Sequence, residues 1–191
     1  MPQNPKSKIP NPKSRIAIAN RQRAVRIDRR RLIRLARAVL VMEQVALAEI
    51  SVAIVDDREI HRINRRFLNH DFPTDVISFL LDEDDAHDLK PSASVRHVRR
   101  RADTTSAAGK ASFPRRRGRG KAFSGEIVIS AETARRNAVA YRVTPQDELD
   151  LYVAHGLLHL CGYDDRSPRE KRLMRRRESE ALRRRHGTFP E

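Results

Sequence analysis

At 191 residues, 39% of them hydrophobic and 34% charged, the chain is sized for one ordinary domain with a modest core. Its 40 Lys and Arg outnumber 25 Asp and Glu, leaving a formal charge of +15. One cysteine excludes an internal disulfide framework and fits a reducing, cytoplasmic compartment, and no apolar run approaches the ~18 residues that cross a bilayer.

Residues 1–14, rich in Pro, Asn, Ser and Lys, read as a disordered leader. The apolar stretch Ile16 to Ala19 is too short for a signal-peptide core and predicts a short strand over 15–19. Asp28 is placed to cap a helix carrying Leu32, Leu35, Ala36, Val39 and Leu40 on one face. Ile50 to Val55 predicts a strand buried on both faces. Asp57 is the expected cap of a helix bearing Ile60, Ile63, Asn64 and Phe67. A polar turn from Asn69 to Asp75 leads to a strand over Val76 to Leu81.

Residues 82–122 lack apolar periodicity and predict a mobile basic insertion, which interrupts a single domain spanning 15–186. Gly125 to Ser130 resumes the sheet, and Ser130 caps a helix through Tyr141. Thr144-Pro145-Gln146-Asp147 is a capping sequence with Pro at the first helical position. Its helix should run to Cys161 and stop at Gly162. Ser167-Pro168-Arg169-Glu170 opens a last helix that Gly187 ends, and 187–191 form a tail. Charge follows this division: 1–37, 90–121 and 166–191 are strongly basic, and the stretches between them are acidic. Basic arms on an acidic body attract polyanions, and RNA suits them better than a membrane surface.

His155 and His159 stand four apart on one helix face, where two imidazoles can reach one ion at ~2.0–2.1 Å. With 7 His in the chain, chance supplies about 0.25 such pairs, and requiring Asp165 six positions further on lowers this to about 0.02. His155, His159 and Asp165 are therefore the candidate ligands of a divalent ion. Zinc is expected, and the carboxylate makes manganese or another divalent ion admissible. Three protein ligands leave a vertex open, the catalytic arrangement, in which an ion lowers the pKa of water and polarises a phosphoryl or carbonyl oxygen. Asp164 is a partner bonding to a ligand from behind, an alternate ligand, or a turn acid bonding its own backbone.

The same spacing resembles that of metzincin peptidases, but Gly156 occupies the position of their glutamate base, and Met174 falls in a helix rather than a Met-turn. A two-histidine-one-carboxylate iron oxygenase is a further alternative, usually built on a β-rich scaffold.

The run His155-Gly156-Leu157-Leu158-His159-Leu160-Cys161-Gly162-Tyr163-Asp164-Asp165 resembles the signature of the YbeY family, bacterial metal-dependent endoribonucleases of rRNA maturation. Pro73-Thr74-Asp75-Val76-Ile77-Ser78-Phe79 and Gly125-Glu126-Ile127-Val128-Ile129-Ser130 are similar to two further family blocks, in the family's order. The resemblance implies an α+β fold, a small mixed β-sheet packed against helices. It also implies a single-strand-specific endoribonuclease of 16S rRNA 3′-end maturation and ribosome quality control, with rRNA and the small ribosomal subunit as partners. The chain departs from the family at Asp165, where a third His is usual, at Leu68, where an Arg implicated in cleavage is usual, and in the length of 82–122. Arg65 and Arg66 are the nearby cations. No catalytic group beyond a water activated by the ion, and no substrate-binding residue, is assignable. A non-catalytic ribosome-assembly or RNA-binding factor with a structural ion is the alternative, and a metallopeptidase the lesser one.

Overall fold

The structure, a computed structural model, describes residues 14–84 and 122–184. Four strands and five helices follow one another through them: β1 (Arg15–Asn20), α1 (Arg29–Met42), β2 (Leu47–Val55), α2 (Asp57–Leu68), β3 (Val76–Asp84), β4 (Ala122–Ser130), α3 (Ala131–Tyr141), α4 (Pro145–Leu160) and α5 (Pro168–Arg184). The sheet order is β1-β2-β4-β3; β1, β2 and β4 run parallel and β3 is antiparallel to β4. This is the mixed sheet of an α+β fold.

The strand pleat sorts the core into two clusters. Ile50, Val52 and Ile54 of β2, with Ile127 and Ile129 of β4, face the larger one, built with α1, α4 and α5. Ala53, Val55, Ile77 and Val128 point the other way, onto Ile60, Ile63 and Leu68 of α2. Burial on both faces, expected along 50–55, holds only from Val52 to Val55; Glu49 and Ser51 are exposed where α2 no longer covers the sheet.

Helix α4 lies at the centre and packs against α1, α3, α5, β3 and β4. Gly156 makes its close approach to the sheet possible: a Cβ there would stand 2.9 Å from Ile127 Cγ2 and 3.0 Å from Ser78 Oγ. Ser78 Oγ donates to the Gly156 carbonyl at 3.3 Å, completing the contact. The start of α4 is the expected capping box of Thr144 and Asp147 with Pro145 inside it. Arg31 of α1 holds that end, donating to Asp147 and, at 2.7 Å, to the fully buried Asp150.

Several boundaries differ from the sequence expectations: β1 runs one residue further, to Asn20, and β2 starts earlier, at Leu47. Asp56, not Asp57, caps α2: its backbone is extended and its carboxylate accepts from Glu59 N at 2.8 Å. Asp57 is the first helical residue, and its carboxylate accepts from Ser130 Oγ, Thr133 Oγ1 and Arg136 Nη1, tying α2 to α3. Strands β3 and β4 extend past Leu81 and begin before Gly125, with Asp84 opposite Ala122, because the ladder is made by backbone groups and needs no apolar side-chain pattern. Of the expected insertion, 82–84 and 122 are therefore strand, while 85–121 lie outside the described residues, as do 1–13 of the leader, Gly187 and the tail. Ser14 is described, and its hydroxyl accepts from Ala48 N at 3.1 Å.

Candidate metal centre

His155 and His159 occupy the last turns of α4 on a half-buried stripe, while Leu157, Leu158 and Leu160 of the same turns stay in the core. Their Nε2 atoms are 2.9 Å apart, and the rings stand nearly perpendicular at 85°. Each Nδ1 has a partner that can only accept: His155 Nδ1 donates to Glu178 Oε1 at 2.7 Å, and His159 Nδ1 to the Tyr163 carbonyl at 3.0 Å. Each neutral ring must then keep its proton on Nδ1 and turn an Nε2 lone pair towards the other. Two lone pairs at that separation repel unless a cation stands between them. The donor set therefore fits a metal ion, and the outer partners supply the orientation that ligating histidines ordinarily receive.

The chain comes back to this point through a helix stop. Gly162 takes φ 89°, the left-handed region that favours glycine. Gly162 N donates to the His159 carbonyl at 2.9 Å and Tyr163 N to the Leu158 carbonyl at 3.0 Å, the paired bonds of a Schellman motif. Asp165 follows, and one ligand atom from each of His155, His159 and Asp165 lies within 4.8 Å of the other two, so the three could hold one ion. All three are half-buried. Asp164 does not join them: its Oδ1 accepts from Asp165 N at 2.8 Å and its Oδ2 pairs with Arg166 Nε at 3.1 Å, the turn role.

The two imidazoles are electrostatically unequal. Burial opposes charge on His155, but the hydrogen bond and charge of Glu178, with Asp165 and Asp75 behind it, outweigh burial and raise its pKa. Burial and then the neighbouring His155 push His159 below its ordinary value. Above the pair on the same stripe of α4 stand Glu148, whose pKa burial raises, and Tyr152, which accepts a hydrogen bond from Asn137 at 2.8 Å.

Sequence reasoning missed Glu178. A signal was present: Met174 and Ala181 are the buried residues of α5, and Glu178 sits between them at +4 and −3 on that inward stripe. Thr74 and Asp75 shape the turn as expected, with Asp75 Oδ1 accepting from Thr74 Oγ1 and Val76 N. Leu68 packs into the α2 cluster. Arg65 lies near Asp71 at 3.9 Å and Arg66 over the Phe67 ring, on the sheet face opposite α4. Cys161 is buried among apolar side chains, as expected. His61 pairs with Asp71 and His70 stacks on Phe72; His87, His97 and His186 lie outside the described residues. Among the described residues no helix is long and apolar enough to cross a membrane.

Fold and site together define an α+β domain in which two histidines and a carboxylate at the end of α4 could hold one ion. A family profile described as Endoribonuclease YbeY matches residues 17–186, and the chain belongs to that family. The curated Endoribonuclease YbeY of Syntrophus aciditrophicus is 34% identical over 174 residues, 90% of each chain. That of Thermobifida fusca is 37% identical over 168 residues, 87% of this chain and 91% of its own. The solution structure of TM1509 from Thermotoga maritima shares the fold, with a TM-score of 0.51 at 20% identity over 90% of this chain and 89% of the other.

Proposed function

We propose that the chain is a metal-dependent endoribonuclease that hydrolyses single-stranded RNA, with zinc the expected ion and His155, His159 and Asp165 its ligands. The observation that carries this reading is the convergence of those three side chains, with both imidazole Nδ1 protons already committed elsewhere. When bound, a divalent ion in such a site lowers the pKa of water and draws charge from a phosphoryl oxygen. The chain's own residues do the rest. Glu178 and the Tyr163 carbonyl fix both ring orientations, and Asp165 offsets one positive charge beside the substrate.

The same reading extends to cellular role: maturation of the 16S rRNA 3′ end and ribosome quality control in the cytoplasm, with rRNA and the small subunit as partners. The family name and the strong positive charge of the chain support it. Purified protein loaded with zinc or manganese should cut single-stranded RNA and stop when chelated. His159→Ala should abolish cutting, and equal cutting by that variant would overturn the assignment. Metal analysis alongside Asp165→His would identify the ion and the part the carboxylate plays.

The alternative of a non-catalytic assembly factor draws on Leu68, which puts an apolar side chain where the family has a cation. It requires a structural ion, so chelation would unfold the domain. Helix α4 is held by its capping box, Arg31 and the core without recourse to an ion, which favours a removable one. Peptidase chemistry is disfavoured by Gly156, where even a Cβ would crowd Ile127 and Ser78.

A further inference from the structure

We propose that Tyr163 is a positioning residue for the metal centre, locked in place by a half-buried Glu43–Arg177 pair. The proposal rests on the metal-ligand reading of His155 and His159. Tyr163 meets the centre through its backbone, since its carbonyl receives the His159 Nδ1 proton at 3.0 Å. Its phenol points the other way and donates to Glu43 Oε2 at 2.9 Å, at the end of α1. Arg177 of α5 closes the chain: its Nε donates to Glu43 Oε1 at 3.0 Å, its Nη2 to the same oxygen, and its guanidinium lies 6.0 Å from the centre of the Tyr163 ring.

The Glu43 and Arg177 side chains are only 11% and 19% exposed. A pair so largely shielded forfeits part of its hydration and is a poor source of stability compared with apolar packing. What it supplies is register. Arg177 and Glu178 are consecutive, so one turn of α5 fixes both imidazoles: Glu178 takes His155 directly, and Arg177 fixes His159 through Glu43 and Tyr163. A Schellman turn alone leaves the carbonyl after its glycine free to tilt. Anchoring the phenol on one side and the peptide N–H on the other removes that freedom.

The test uses the full chain and cobalt(II) as probe, because its visible absorption reports coordination geometry. Tyr163→Phe and Glu43→Gln should each weaken cobalt affinity by about 10-fold or more and alter the visible band. The double variant should be little worse than either single one, because the two act in one chain of contacts. Asp150→Asn, which removes the charge of the fully buried Asp150 from its pair with Arg31 at the far end of α4, serves as control: it should lower the melting temperature and leave cobalt affinity and spectrum unchanged. If Tyr163→Phe and Glu43→Gln melt lower yet bind cobalt as the wild type does, with the same spectrum, the lock is structural only and the proposal fails. If the wild-type chain takes up no cobalt, the metal centre itself is what fails, and the lock with it.

Discussion

Gly156 separates what the site can be from what it resembles. In a helix interior a glycine costs roughly 1 kcal/mol against alanine, so its presence there needs a reason, and the distance to Ile127 supplies one. Gly156→Ala regains helix propensity but forces a buried β-branched side chain to move, at about 1–3 kcal/mol. A net loss of about 1 kcal/mol is expected by urea denaturation. Gly156→Glu, the residue a metzincin would need, should cost more than about 3 kcal/mol, because its carboxylate would be driven into the sheet. A stable, folded Gly156→Glu protein would contradict this packing. The glycine, both histidines and Asp165 are legible in sequence because they are local, separated by one helix turn or one chain reversal. Glu43 and Glu178 are not, since they reach the centre only when α1 and α5 dock.

At the scale of elements, the caps were the readable part. Thr144-Pro145-Gln146-Asp147 specifies the start of α4 without tertiary information, because the reciprocal Thr144–Asp147 bonds of the box fall within four residues; the bonds from Arg31 and Asp28 are added when α1 docks. The choice between Asp56 and Asp57 was not readable, since either carboxylate can cap; the end of β2 at Val55 and the docking of α3 onto Asp57 decide it. The α4 box carries its own pH signature. Hydrogen bonding from Thr144, opposed by burial and helped by Arg31, lowers the Asp147 pKa to about 2 from 3.8. A carboxylate depressed in the folded state contributes stability above its unfolded pKa and loses it as pH falls through the folded one. Asp147→Ala should therefore cost about 1–2 kcal/mol near neutrality. The gap to wild type should begin to close below about pH 4 and be nearly gone towards pH 2. A gap that stays constant from pH 7 to 3 and on to 2 would refute the role given to this carboxylate.

For the molecule as a whole, the sheet explains how a long, basic stretch can be carried without burdening the fold. Asp84 and Ala122 are opposite partners in the antiparallel β3–β4 ladder. Neighbours of that kind are about 5 Å apart and can be joined by a two-residue turn. Replacing 85–121 with Asn-Gly should leave the melting temperature and metal uptake close to wild type. The loss should appear in RNA affinity and in a shallower dependence of that affinity on salt, since 90–121 is strongly basic. If the shortened protein fails to fold, the stretch is part of the domain. Nothing in the local sequence of 82–84 announced a strand, because pairing to β4 through main-chain groups is indifferent to which side chains hang from it.

Helix α5 contributes no ligand, yet both imidazoles are steadied from it, through Glu178 and through Arg177. Whatever frees that helix from α1 and α4 would silence the centre while leaving every ligand intact. The coupling runs equally in reverse. Uptake of a divalent ion should slow amide hydrogen exchange along 168–184 more than along α2, which lies across the sheet, so that the ion acts as a fastener for the carboxy-terminal helix.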